Sequence, residues 1–341
     1  MKAIRLERPF EFAPIDLPEP PPPGPGEAVV AVHRVGVCGT DYSGYQGKMP
    51  FFSYPRIIGH ELGVEVLTVG DGVASVRPGD RCAVEPYLND PTSYASRRGR
   101  PNCCEHLEVL GVHTDGGLRS RLVLPARKLH PSSRLTLEQL ALVETLAIGC
   151  HAVNRGAVRP GENVLVIGAG PIGLAVLEFV RLAGARPIVF DRSERRLAFC
   201  RDAMGVADVV HVTDGGGEEG NLARLTDGHL AEVVFDATGS HKSMSAALGL
   251  CAFGGRLVYV GITTQEITFF QHLMHRRELT LLATRNALPT DFTRIIGLIE
   301  EGRIDTRPWI THRAGLDGMI GAFPGWLDPR AGVIKAVVEL T

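Results

Sequence analysis

Three short segments carry the side chains most able to do chemistry. Cys38-Gly39-Thr40-Asp41, Gly59-His60-Glu61 and the distant Glu144 offer a thiolate, an imidazole and carboxylates. Zinc accepts all three donor types, and a catalytic zinc keeps one tetrahedral position open for water or substrate. Residue type alone leaves open that His60-Glu61 is an ordinary surface pair. A second constellation is Val164-Leu165-Val166-Ile167-Gly168-Ala169-Gly170-Pro171-Ile172-Gly173, a G-x-G-x-x-G set between a strand-like run and a helix-like one. Gly168 permits the tight turn, Gly170 lets the backbone approach a pyrophosphate, and Gly173 lets the helix pack close to the sheet. Pro171 and Ile172 open that helix, whose free N–H groups face the phosphate charge. Asp191, about 20 residues further on, can accept hydrogen bonds from the adenosine ribose and repels a 2′-phosphate, which favours NAD over NADP. Arg192, Arg195 and Arg196 keep the opposite choice open, because an arginine there can hold that phosphate.

Two kinds of framework are needed to position these groups. Residues 18–25 are mostly proline and read as an extended surface segment. Strands at 28–37, 63–69 and 81–85, with turns such as Gly70-Asp71-Gly72 and Pro78-Gly79-Asp80, make the first ~125 residues resemble a compact β-barrel. Near residue 150 the pattern changes. Strands at 163–167, 187–190, 232–236 and 256–260 alternate with helices at 171–183, 193–204 and 240–252, the signature of right-handed βαβ units around a parallel sheet. The last ~55 residues return to mixed structure, with a helix at 291–301 and a strand at 333–340.

Bulk properties narrow the class. A chain of 341 residues exceeds one ordinary core. Its hydrophobic fraction of 44% and charged fraction of 22% describe a folded, soluble protein rather than a disordered one. A net charge of −2 with scattered basic residues makes nucleic acid a poor partner, and Arg97-Arg98-Gly99-Arg100 reads as a solvated loop. No signal peptide and no membrane-length apolar run are apparent. Seven cysteines without paired spacing fit a reducing cytoplasm.

Taken with Val37, Ile58, Val69-Gly70-Asp71-Gly72-Val73, Phe253-Gly254-Gly255-Arg256 and Gly261, these segments resemble the zinc-containing medium-chain dehydrogenases along essentially the whole chain. The branch of sorbitol, L-threonine and sugar-acid 5-dehydrogenases is the most similar. The resemblance implies an α/β protein: a GroES-like β-barrel catalytic domain over 1–149, a doubly wound Rossmann NAD-binding domain over 150–282, and a return to the catalytic domain over 283–341. It implies Cys38 and His60 as zinc ligands, with Glu61 ligating directly or in exchange with water. Glu144 stands where the liver-type alcohol dehydrogenases have cysteine. Asp41 would orient the His60 ring, and Thr40 would pass the substrate proton outward. The implied reaction is oxidation of a secondary alcohol on a polyol or sugar acid, with hydride transfer to NAD. An L-threonine-like or other secondary-alcohol dehydrogenase is the alternative. The four metal donors argue against a zinc-free reductase, and the intact Thr40 and Asp41 against a non-catalytic NAD-binding protein. Family habit also implies a homo-oligomer, usually a tetramer and sometimes a dimer.

Several departures from the family pattern carry expectations of their own. Many relatives bind a structural zinc in a lobe with four cysteines. The aligned positions here are Asp90, Ser93, Ser96 and Cys104, which predicts one catalytic zinc per chain and no structural one. Adjacent Cys103 and Cys104 are not expected to pair, and Cys150 reads as a small core residue. Tyr42-Ser43 replaces a histidine of the usual proton relay, and Thr145 replaces a proline. Arg285 either clamps a substrate carboxylate, contacts cofactor phosphate or forms a surface ion pair. Phe51 and Phe52 read as pocket wall or core.

Overall fold

The computed structural model describes residues 1–50 and 52–340, so Phe51 lies outside the described residues. The chain divides into two compact units, one of Met1–Ala147 with Ala287–Thr341 and one of Ile148–Asn286. The second crossing falls after Asn286 rather than after residue 282. Arg285 therefore belongs to the inserted unit and not to the returning segment.

The first unit is built on a seven-stranded sheet. Six strands run in the order Ile310–Gly315, Lys335–Glu339, Glu27–Val37, Glu61–Val69, Arg81–Val84 and Leu129–Pro131, and Arg121–Pro125 also pairs with Glu27–Val37. Val30 and Val32, Leu62, Val64 and Val66, and Leu122 and Leu124 recur at every second position and enter one buried cluster. That period places them on a single face. Phe52 packs against this cluster. The strand Lys335–Glu339 is antiparallel to Glu27–Val37, so the end of the chain completes a sheet begun near its start.

A 20-residue helix, Leu137–Gly156, carries Glu144 and was not read from the sequence. Its start is a capping box. Thr136 Oγ1 accepts from Gln139 N (3.2 Å), and Gln139 Oε1 accepts from Thr136 N (2.9 Å). The T-L-E-Q string is therefore the signal that could have found it.

The second unit holds six parallel strands in the order Asp208–His211, Arg186–Asp191, Asn163–Ile167, Ala231–Asp236, Cys251–Tyr259 and Thr280–Ala283. Numbered along the chain this is 3-2-1-4-5-6, the dinucleotide-binding order, with its switch point beside Asn163–Ile167. Val164, Leu165 and Val166 are fully buried, as a strand covered on both faces requires. The expected helix at 240–252 is shorter. It spans His241–Ala246, a 3₁₀ turn covers Ala247–Leu250, and Cys251 already belongs to the next strand, where it pairs with Ala231. An apolar run such as Ala246 to Ala252 has no period that separates helix from strand.

Candidate functional site

Cys38 sits just beyond the strand Glu27–Val37, as the N-cap of the short helix Gly39–Tyr45. Asp41 fastens the turn by accepting the Cys38 N–H at 2.8 Å. His60 directly precedes the strand Glu61–Val69, which pairs with the first so that Gly36 lies opposite Glu61. A Cβ on Gly36 would stand 2.1 Å from Glu61 Oε2, so glycine there makes room for the carboxylate. As a result the ligand atoms of Cys38, His60 and Glu61 all lie within 4.8 Å of one another, with His60 and Glu61 buried.

Electrostatics in this corner are strongly coupled. Burial works against a charged His60 ring, but the Asp41 carboxylate and the adjoining Cys38 and Glu144 outweigh it and raise the ring well above its ordinary range. Burial raises Asp41. Asp41 Oδ1 and His60 Nδ1 are 3.9 Å apart, and neither has a hydrogen-bond partner. Buried polar atoms left unpaired are costly. A cation that drew the imidazole into place would let them pair. A thiolate, an imidazole and a carboxylate are also the donors zinc prefers, so the residues fit that metal. Thr40 Oγ1 lies 3.8 Å from Cys38 Sγ, at the rim of the cluster.

Two residues that sequence reasoning missed complete the site. Lys335, fully buried on the last strand, donates to both Glu61 oxygens at 2.6 and 2.7 Å and to Val37 O at 3.3 Å. Glu61 is thus within reach of a metal but committed to an ammonium, which weakens its case as a direct ligand. Burial disfavours the Lys335 charge, yet Glu61 and Cys38 more than compensate, and the ammonium is held above its usual range. Glu144 lies outside the three-residue cluster. It is buried, feels the charges of His60 and Glu61, and accepts a 2.5 Å hydrogen bond from Tyr87 Oη. Burial raises the Glu144 carboxyl above the ordinary range.

The glycine loop of the second unit is shaped for a phosphate. Gly168 has φ +96, and a Cβ on Gly173 would stand 1.7 Å from Gly168 O, which is why both are glycines. Gly170 caps the helix Pro171–Leu182, and a Cβ there would meet only Arg196 Nη1, at 3.8 Å. That opening is the cradle a pyrophosphate needs. Pro171 has no N–H, so it shapes the first turn while Ile172 and Gly173 supply donors. Asp191 Oδ2 accepts from Ala169 N at 2.6 Å and Oδ1 from Ser193 N at 2.7 Å. A carboxylate offers about four lone pairs, so ribose hydroxyls can still bind. Arg192 is turned to Asp214 at 2.6 Å, away from the expected phosphate role, whereas Arg196 faces the loop. Arg285 follows the last strand at the carboxyl edge of the sheet, where such folds bind ligands.

In the lobe around Cys104 the four aligned positions meet. Asp90 N donates to Cys104 Sγ (3.4 Å), Ser93 Oγ and Ser96 Oγ are 2.9 Å apart, and Asn89 Nδ2 reaches Ser96 Oγ at 3.0 Å. Burial opposes the Cys104 thiolate, but hydrogen bonds from Ser93, Ser96 and the backbone lower its pKa. Cys103 is exposed and Cys150 fully buried. Among the described residues, no helix is long and apolar enough to cross a membrane.

Comparison with known proteins shows the family and the fold. Residues 24–134 match the alcohol dehydrogenase GroES-like domain family, and residues 171–301 match the zinc-binding dehydrogenase family. The chain is 38% identical to L-galactonate-5-dehydrogenase of Escherichia coli K12 over 297 residues, covering 86% of each. Its fold is similar to that of an E. coli CFT073 alcohol dehydrogenase, RspB, solved with NADH (TM-score 0.92, 28% identity, 100% and 99% coverage). A zinc-binding dehydrogenase from Sinorhizobium meliloti 1021, solved with NADP, is similar too (TM-score 0.89, 27% identity, 99% of both chains).

Proposed function

The chain belongs to the zinc-binding alcohol dehydrogenases with a GroES-like domain, and from that membership we propose that it oxidises a secondary hydroxyl of a sugar acid or polyol to the ketone. The observation that carries the reading is the convergence of Cys38 with the buried His60 and Glu61, near which Glu144 is also buried. Cys38, His60 and Glu144 would hold the metal. When bound, zinc supplies Lewis-acid polarisation of the hydroxyl, and a nicotinamide cofactor accepts the hydride.

The chain's own residues do the rest. Lys335 neutralises Glu61, which leaves one fewer uncompensated anion in the pocket. Asp41 stands beside His60 to fix the ring, and the Thr40 hydroxyl, next to Cys38, is placed to carry the proton outward. NAD is the preferred cofactor on this reading, because Asp191 presents a carboxylate to the ribose side of the loop. Arg196 is the group through which NADP would compete. One zinc per chain is proposed because three of the four lobe positions lack thiolates. A homotetramer, with a dimer as the smaller option, follows from family membership, and sedimentation at micromolar protein would test it. A cytoplasmic location is proposed because seven cysteines without the paired spacing of a disulfide framework suit a reducing compartment.

The test is NADH formation with a panel of aldonates, uronates and polyols. Turnover on sugar acids above that on simple secondary alcohols supports the reading. Preference for L-threonine or short alcohols would replace it.

A further inference from the structure

Glu61 and Glu144 are both buried beside the Cys38–His60 corner, but they are tethered in different ways. Both oxygens of Glu61 are taken by Lys335. Among the described residues, Glu144 receives its hydrogen bond at one oxygen, Oε1, from Tyr87 Oη at 2.5 Å. The phenol is itself firmly held. Tyr87 is 2% exposed and opens the short strand Tyr87–Leu88. Its ring meets Phe292 edge-on at 6.2 Å and 72°, and Phe292 stacks on His130 at 4.9 Å and 17°. Just before it in sequence, Glu85 is clamped by Lys128 in a buried ion pair and approached by His130 Nε2 at 3.4 Å. The hydroxyl thus reaches Glu144 from a rigid mount.

We propose that Tyr87 is a positioning residue for the metal: its hydroxyl fixes one Glu144 oxygen so that the other is presented singly and in a set direction. This rests on the reading of Cys38, His60 and Glu144 as the zinc ligands. A carboxylate with one oxygen bonded neither rotates freely nor spreads both oxygens over the ion. The donor also replaces part of the solvation that burial removes from the carboxylate. Partners of this kind orient metal ligands, and losing one typically weakens metal binding about 10–100-fold.

The test uses full-length protein stripped of metal, with zinc affinity read by competition against a chromophoric chelator. Tyr87→Phe keeps the ring contact with Phe292 and removes only the hydroxyl, and the melting curve of the metal-free protein checks that the fold persists. The expected result is zinc affinity weakened roughly 10–100-fold with NADH affinity unchanged. In a Glu144→Gln background the same substitution should then have no further effect, because the hydroxyl acts through that carboxylate. Unchanged or tighter zinc binding in Tyr87→Phe overturns the proposal, as does an equal loss in the Glu144→Gln background. Failure of the metal-site reading itself looks different: Cys38→Ala and Glu144→Gln would then both bind zinc like the parent.

Discussion

Glu61 and Lys335 form an ion pair with essentially no solvent contact, and that fact sets what each can tolerate. Replacing Lys335 with Met leaves a buried carboxylate without its counter-charge, a change that costs on the order of 3–5 kcal/mol. Chemical denaturation should show that loss, and Lys335→Arg should recover part of it. Asp191 allows a second prediction at this scale. Asp191→Asn removes the charge that repels a 2′-phosphate while Arg196 remains near the loop, so the ratio of NADP to NAD turnover should rise. The glycine loop was legible because its motif has local meaning, and Cys38, His60 and Glu61 because their segments resemble those of a known family. Lys335, Tyr87 and Gly36 were not. Their roles come from pairings across the first unit, and no local pattern marks a lysine in a strand as the partner of a glutamate 274 positions away.

At the scale of elements, the lobe around Cys104 is held together by its own hydrogen bonds. Hydrogen bonds among Asp90, Ser93, Ser96 and Cys104 join the positions that a zinc would otherwise join. Cys104→Ala leaves those donors unpaired and should lower stability by about 1–3 kcal/mol. Thermal melting measures this, and zinc content per chain should not fall with it. The central strands of both sheets were readable from valine-rich runs, whereas Arg121–Pro125, Leu129–Pro131, Ile310–Gly315, Asp208–His211 and Thr280–Ala283 were not. The helix Leu137–Gly156 was not, because its apolar residues wrap much of its circumference and blur the helical period. That helix carries Glu144, so its omission left a candidate ligand without a mount.

For the whole molecule, the two candidate sites belong to separate units of the chain, the metal donors to one and the glycine loop to the other. Loss of one should therefore spare the other: Cys38→Ala should abolish turnover while NADH binding, followed by fluorescence, stays near the parental value. The inserted unit was legible in outline from strand–helix alternation. The strand Lys335–Glu339 was expected near its place, but not that it would lie against Glu27–Val37. The measurement that bears most directly on zinc-dependent alcohol oxidation is NADH production on an active sugar acid or polyol after chelator dialysis, followed by zinc titration. Activity should vanish on dialysis and return with one equivalent of zinc per chain. Full activity in metal-free protein, or recovery only with two equivalents, would contradict it.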